Sequence, residues 1–143
     1  MDHARATRTS RGRFTWRLVA DLDEVPVARR AFEGWLREAR VSDDDVHDLT
    51  VVLSELGSNA ANGAAPGTEA RIESWLDGSV LHLAVANRVD ETTTDIQRWD
   101  LDDQLRGGGR GLLIVRAYTD SMEIDTAGGE VSVLCTRRLD QTG

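Results

Sequence analysis

The sequence predicts an α/β two-layer sandwich, with helices on one face of a mixed, mainly antiparallel sheet of four or five strands. Three observations lead there. Segments of period-two hydrophobicity and segments of helical period follow one another in the order β-α-α-β-β, then a long aperiodic stretch, then α-β-β. Two pairs of β-rich runs are each joined by a glycine-containing turn, the mark of antiparallel hairpins. A chain of 143 residues is one domain long and can bury a core without disulfide or metal support.

The elements can be justified in chain order. Residues 1–12 carry Arg5, Arg8 and Arg11 without an apolar partner and read as a disordered basic tail, leaving residues 13–139 as the domain. Phe14, Trp16, Leu18 and Ala20 alternate with Arg13, Thr15, Arg17 and Val19, which predicts a strand with one buried face. Asp23 ahead of Pro26 marks a helix start, and Ala28, Ala31, Phe32, Trp35, Leu36 and Ala39 follow at helical spacing. Ser42 is an N-cap followed by the acids Asp43, Asp44 and Asp45, which suit the positive end of a helix dipole. That second helix runs to about Asn62 and stops at Gly63, Pro66 and Gly67.

Residues 69–87 read as a hairpin turning at Asp77-Gly78, with the type I′ signal. Residues 88–108 lose periodicity, hold Trp99, and have the length of a lid or binding loop. An apolar helix follows Gly107-Gly108-Gly109-Arg110-Gly111, and a second hairpin turns at Ala127-Gly128-Gly129. Trp16, Trp35 and Trp75 are expected in the core, as is the single cysteine, Cys135. His82 is expected at a strand edge or in the core.

Composition narrows the function. The net charge of -8, from 25 acidic and 17 basic residues, argues against nucleic acid as a partner. Every basic residue is arginine, so neither Schiff-base lysine chemistry nor a P-loop lysine is available. One cysteine permits no internal disulfide, which fits a reducing compartment. No apolar run approaches the roughly 18 residues of a membrane span, and the polar N-terminus does not read as a secretory signal. The expectation is a cytoplasmic protein without membrane contact. His3, His47 and His82 lie apart, without metal-ligand spacing.

Two segments carry candidate chemistry. On the second helix, Val46, Leu49, Leu53, Leu56 and Ala60 fall on one stripe, the core face. Glu55, Asn59 and Asn62 fall on the far side at i, i+4 and i+7, with Val51 and Val52 near them. A polar trio among apolar residues suits a pocket floor; a solvated face with two stray valines explains it equally well. The glycines before the third helix leave backbone N–H groups free at the positive helix end, where a phosphate can approach closely, and Arg110 adds a planar donor fork. A flexible linker leading into a helix is the plainer alternative.

Together the two segments resemble a known group. SELGSNAANGA, residues 54–64, is similar to the N box of GHKL ATPases, and GRGLLIVRAYTDSMEID, residues 109–125, is similar to their second glycine box with the helix and strand behind it. The small size and the sheet endings resemble the stand-alone bacterial anti-sigma factor serine/threonine kinases, over roughly Val46 to Arg137. The resemblance implies the GHKL ATPase/histidine-kinase-like sandwich and ATP with Mg²⁺ as cofactors. It implies that Asn59 holds the metal, that Glu55 is the general base, and that Asn59, Asn62, Asn87, Gly109, Arg110, Gly111 and Leu112 bind nucleotide. Residues 88–108 would be the lid. It further implies an anti-sigma factor of a partner-switching system, which binds a sigma factor and phosphorylates an anti-sigma factor antagonist on serine or threonine, and which can form a homodimer.

The first glycine box departs from the family pattern. Where D-x-G-x-G is expected, the chain reads Asn87-Arg88-Val89-Asp90-Glu91. An amide stands in place of the carboxylate that accepts from the adenine amino group, and both glycines are absent. Gly63 occupies a position where related kinases often carry histidine. These departures leave open a nucleotide-independent regulatory binding module on the same fold. A histidine kinase catalytic domain is a third reading, disfavoured because no helical pair with a phospho-accepting histidine precedes the domain.

Overall fold

The computed structural model describes residues 12–19, 21–63, 67–88 and 110–140, the last set without the Arg110 side chain. The elements are β1 (Arg13–Val19), a 3₁₀ turn (Leu22–Glu24), α1 (Val25–Glu38), α2 (Asp43–Gly63), β2 (Glu69–Asp77), β3 (Val80–Arg88), α3 (Arg110–Tyr118), β4 (Ser121–Ala127) and β5 (Glu130–Arg138). The strands form one sheet in the order β1-β2-β3-β5-β4. All four pairings are antiparallel, so the mixed sheet allowed by the sequence narrows to an antiparallel one among the described residues. The reason is positional. β4 runs parallel to β3, but its hairpin partner β5 lies between them and pairs with both.

Period two in the strands and period 3.6 in the helices meet in one core. Phe14, Trp16 and Leu18 of β1, Ile72 of β2, Leu81, Leu83 and Val85 of β3, and Val133 and Cys135 of β5 pack against the apolar stripes of α1, α2 and α3. At the β1–α1 corner Phe14 contacts Phe32 and Trp35, with ring centroids 5.3 and 5.8 Å away. Burial pushes the Cys135 thiol up to about 12, which leaves it protonated and inert at neutral pH.

Several local expectations change. The first helical start is capped by Asp21, whose side chain accepts from the Asp23 amide at 3.0 Å, and a 3₁₀ turn precedes α1. The first hairpin turns on Gly78-Ser79, one residue later than expected, because Asp77 pairs with Val80. Gly78 has φ 65° and Ser79 is not positive, whereas type I′ requires both. In the second hairpin Gly128 and Gly129 are both positive, at 60° and 77°. Val52 is fully buried and belongs to the core, not to the polar side of α2. Trp75 lies on the open face of the sheet, because Ser74 takes the inward register. There it stacks on His82 at 5.0 Å, with Arg13 over its other side. His82 is thus on an interior strand and faces outward. Ala20, Trp99, the tail before Gly12 and the expected lid beyond Arg88 lie outside the described residues. Gly12 itself already joins the sheet, its carbonyl accepting from Leu76 at 3.3 Å. Among the described residues no helix is long and apolar enough to cross a membrane.

A buried ion cluster ties the layers together. Asp45, in the first turn of α2, has a side chain only 1% exposed, and Arg137 of β5 is 17% exposed. Both the Nε and Nη2 of Arg137 donate to Asp45 Oδ1, at 3.1 and 2.7 Å. Arg137 Nη1 lies 3.0 Å from Asp48 Oδ2 and donates to the Tyr118 carbonyl, the last of α3, at 2.9 Å. The other Asp45 oxygen accepts from the Asp140 amide at 2.8 Å. Burial opposes the Arg137 charge, and the hydrogen bonds to Asp45 and Asp48 outweigh it, holding the pKa above the ordinary arginine value. Asp45→Ala removes the buried acceptor and leaves Arg137 with Asp48 as its only carboxylate, beside the Tyr118 carbonyl. The expected loss is about 3 kcal/mol, read as a lower urea midpoint at an unchanged slope; an unmoved midpoint would show that the cluster adds nothing to stability.

Candidate functional site

The site grows from the C-terminal half of α2. The stripe opposite the core carries Glu55, Asn59, Asn62 and Gly63 through the last two turns of the helix. Glu55 is half-buried, whereas Asn59 and Asn62 are exposed. Two other elements border this stripe. At one end is the head of α3: a Cβ added to Gly111 would stand 2.6 Å from Glu55 Oε1. At the other end is the end of β3: the Asn87 side-chain nitrogen would lie 3.9 Å from a Cβ on Gly63. The two asparagines lie on α2 between these contacts, with side chains open to solvent.

Each neighbour is delivered by its own element. Asn87 takes the inward register of β3, after Leu81, Leu83 and Val85, and is 8% exposed. It is the point where an apolar strand face turns polar. Its partner across the sheet is Val131, which is buried yet stands apart from the main core cluster. Among the described residues the Asn87 amide makes one long hydrogen bond, Nδ2 to the Arg88 carbonyl at 3.5 Å. Asn87 and Gly63, both noted as departures in the sequence, therefore stand side by side.

Gly111 is the second residue of α3, at the end where backbone N–H groups have no intrahelical partner. Leu112 is 1% exposed and belongs to the core, so only its backbone N–H is available to a ligand. Arg110 opens α3, but its side chain and Gly109 lie outside the described residues. Of the residues singled out by sequence, the structure therefore brings Glu55 to Gly111 and the end of α2 to Asn87. No distance joins Asn59 or Asn62 to either.

The side chains here offer oxygen ligands, one carboxylate and the amides of Asn59, Asn62 and Asn87, while the first turn of α3 presents backbone N–H groups that suit an anion. Such oxygens suit a small divalent cation that keeps waters and phosphate oxygens as its other ligands. No group of three or more His, Cys, Asp or Glu that could hold a metal exists among the described residues. A cation here would thus depend on its ligand's own oxygens. The residues present fit a Mg·nucleotide better than a free metal.

Sequence reasoning missed the Asp45–Arg137 cluster, which fixes α2 and α3 against the sheet. Its signal was available: Arg137 continues the inward series Val131, Val133, Cys135, so an arginine falls at a core position.

Comparisons with known proteins agree with this fold. Residues 18–136 match the family model described as "Histidine kinase-like ATPase domain". No curated protein sequence matches the chain significantly. Among solved structures, the RsbU and RsbW domains of Rv1364c from Mycobacterium tuberculosis align with a TM-score of 0.68 at 20% identity, over 89% of this chain. This chain spans only 32% of that one. A chain of the SiaB-SiaC complex from Pseudomonas aeruginosa aligns with a TM-score of 0.63 at 14% identity, over 86% of this chain and 88% of that one. At these identities the structural matches speak for the fold, and the family match, which takes in α2, β3 and α3, speaks for descent: the chain belongs to the histidine kinase-like ATPase domain family.

Proposed function

We propose that this chain is an anti-sigma factor of a partner-switching system, which binds Mg·ATP and phosphorylates an antagonist protein on serine or threonine. The observation that carries the reading is the meeting of the two sequence boxes: Glu55 of the N box rests on Gly111 of the second glycine box. The packing of α2 on α3 brings these two motifs together although they lie 56 positions apart in sequence. Support for a partner comes from the two fold relatives, one joining an RsbW domain to an RsbU domain and the other part of a SiaB-SiaC complex. The net charge of -8 suits a basic patch on a sigma factor.

In this reading Asn59 would hold Mg²⁺, and Asn62 and the backbone N–H groups at the head of α3 would bind nucleotide. Gly109 and Arg110 contribute to the same phosphate cradle. The nucleotide supplies the phosphoryl group. Glu55 accepts the proton of the attacking hydroxyl, its half-buried carboxylate held at the head of α3. Asn87 faces the base with a neutral amide. A second copy of the chain is a further partner in this proposal, and the cytoplasm its compartment.

A second reading keeps the fold and the partners but not the nucleotide. Asn87 favours it, since a neutral acceptor forms a weaker bond than a carboxylate would. A titration with Mg·ATP, Mg·GTP and Mg·ADP separates the two readings.

Three variants sharpen that titration. Asn59→Ala should weaken Mg·ATP by about 10-fold or more, through loss of a metal ligand; equal affinity by calorimetry would remove Asn59 from the site. Glu55→Gln should leave binding intact and slow transfer to the antagonist by about 10²- to 10⁴-fold, and undiminished transfer of labelled phosphate would refute the general-base role. Asn87→Asp should tighten adenine nucleotides by about 1 to 2 kcal/mol, as a charged acceptor replaces a neutral one. No gain, together with partner binding that ignores nucleotide, would establish the binding module instead.

A further inference from the structure

The contact between α2 and α3 has an unusual form. A Cβ on Gly111 would lie 2.6 Å from Glu55 Oε1, closer than real contacts allow, but 3.6 Å from Glu55 Cδ and 3.7 Å from Glu55 Cβ, which are ordinary distances. A methyl group at 111 would therefore fit against the stem of Glu55 and collide with one oxygen alone. That oxygen is the far end of a flexible side chain, so the collision can be relieved by rotating the carboxylate away. The Gly111 backbone is helical and not at positive φ, so alanine can adopt it without strain. Alanine is also the better helix former. The glycine is thus not demanded by the fold of α3. What it provides is the space in which the Glu55 oxygen sits.

We propose that Gly111 is a positioning residue for Glu55: its missing side chain forms the seat that fixes the direction of the Glu55 carboxylate. This deepens the proposed function and rests on it for the consequence in catalysis, but the seat itself is a property of the two residues. It assigns to Gly111 a task distinct from giving phosphate close access to the backbone. A carboxylate that accepts a proton must point at the donor, and a displacement of about 1 Å can cost 100-fold in rate. With the seat filled, Glu55 keeps its stem in place and loses its aim.

The test uses the full chain with ¹³C-labelled glutamate, with the Glu55 carboxyl resonance assigned by its disappearance in Glu55→Gln. In Gly111→Ala, without nucleotide, that resonance should move while the other glutamate resonances stay, and the melting temperature should hold or rise. In transfer assays Gly111→Ala should lower kcat by about 10- to 100-fold with little change in KM for Mg·ATP. The shorter side chain of Glu55→Asp withdraws the carboxylate from the seat, so adding Gly111→Ala to that variant should do no further harm. An unmoved Glu55 resonance overturns the proposal, and so does an equal loss of rate in the glutamate and aspartate backgrounds. A loss confined to Mg·ATP affinity, with the resonance unmoved, would return Gly111 to phosphate access alone. If the wild type transfers no phosphate, the resonance still decides the seat, and it is the kinase reading that fails.

Discussion

Arg137 is a charged side chain reaching inward from the sheet, and the fold is arranged to receive it. Its guanidinium meets Asp45 and Asp48 from the first two turns of α2 and the last carbonyl of α3. An arginine on the inward face of a strand would be costly without such partners, since removing a charge from water is recovered only through close ionic and hydrogen-bonded contacts. Here each partner also needs Arg137. Asp45 is itself buried, and the Tyr118 carbonyl is one of the orphan acceptors at a helix C-terminus, where a cation is favoured. Asp45 additionally receives the Asp140 amide, so the chain beyond β5 is fastened to the same point.

The consequence reaches the other end of the helices. α2 is anchored through its first turn and presents the candidate site on its last two. α3 is anchored through its last carbonyl and offers its first turn to Glu55. The cluster and the site therefore occupy opposite ends of the same two helices. Rigidity is supplied at one end, and the groups that must approach a ligand stand at the other. Ser42 supports this division by capping α2, its hydroxyl accepting from the Asp45 amide at 3.2 Å.

Much of this was legible in the sequence, and the exceptions have physical causes. Elements with a strong period, such as β1 with Phe14, Trp16 and Leu18 or the Val46–Ala60 stripe of α2, are written directly in residue spacing. Turn positions were off by one where two registers compete, as at Gly78, because spacing alone does not say which residue pairs last. Trp75 was misplaced because bulk and hydrophobicity suggest a core residue, whereas the strand phase puts the small Ser74 inside; its hydroxyl donates to the His82 carbonyl at 2.7 Å. The acids of α2 looked alike as dipole partners, and only the tertiary position of Arg137 separates Asp45 from Asp43 and Asp44. At the site, the motif residues were visible one at a time. Their adjacency was not, since nothing in residue spacing brings Gly63 to Asn87 or Gly111 to Glu55.

The strand order bears on how such a chain can be made. β5 comes last among the described strands, yet it is not an edge strand: it pairs with β3 over its full length and with β4 on its other side. Until β5 emerges, β3 presents an open ladder and β4 has no neighbour among the strands. Arg137, the keystone of the ion cluster, lies on that same late strand. A chain growing from its N-terminus can assemble the β1-β2-β3 meander early but cannot close this sheet or neutralise Asp45 with Arg137 until β5 has been synthesised. Pairings as distant as Arg71 with Glu130 likewise close large loops, which slows folding. Incomplete chains would carry an exposed strand edge and a buried acid without its partner, which makes them natural targets for chaperones and proteases.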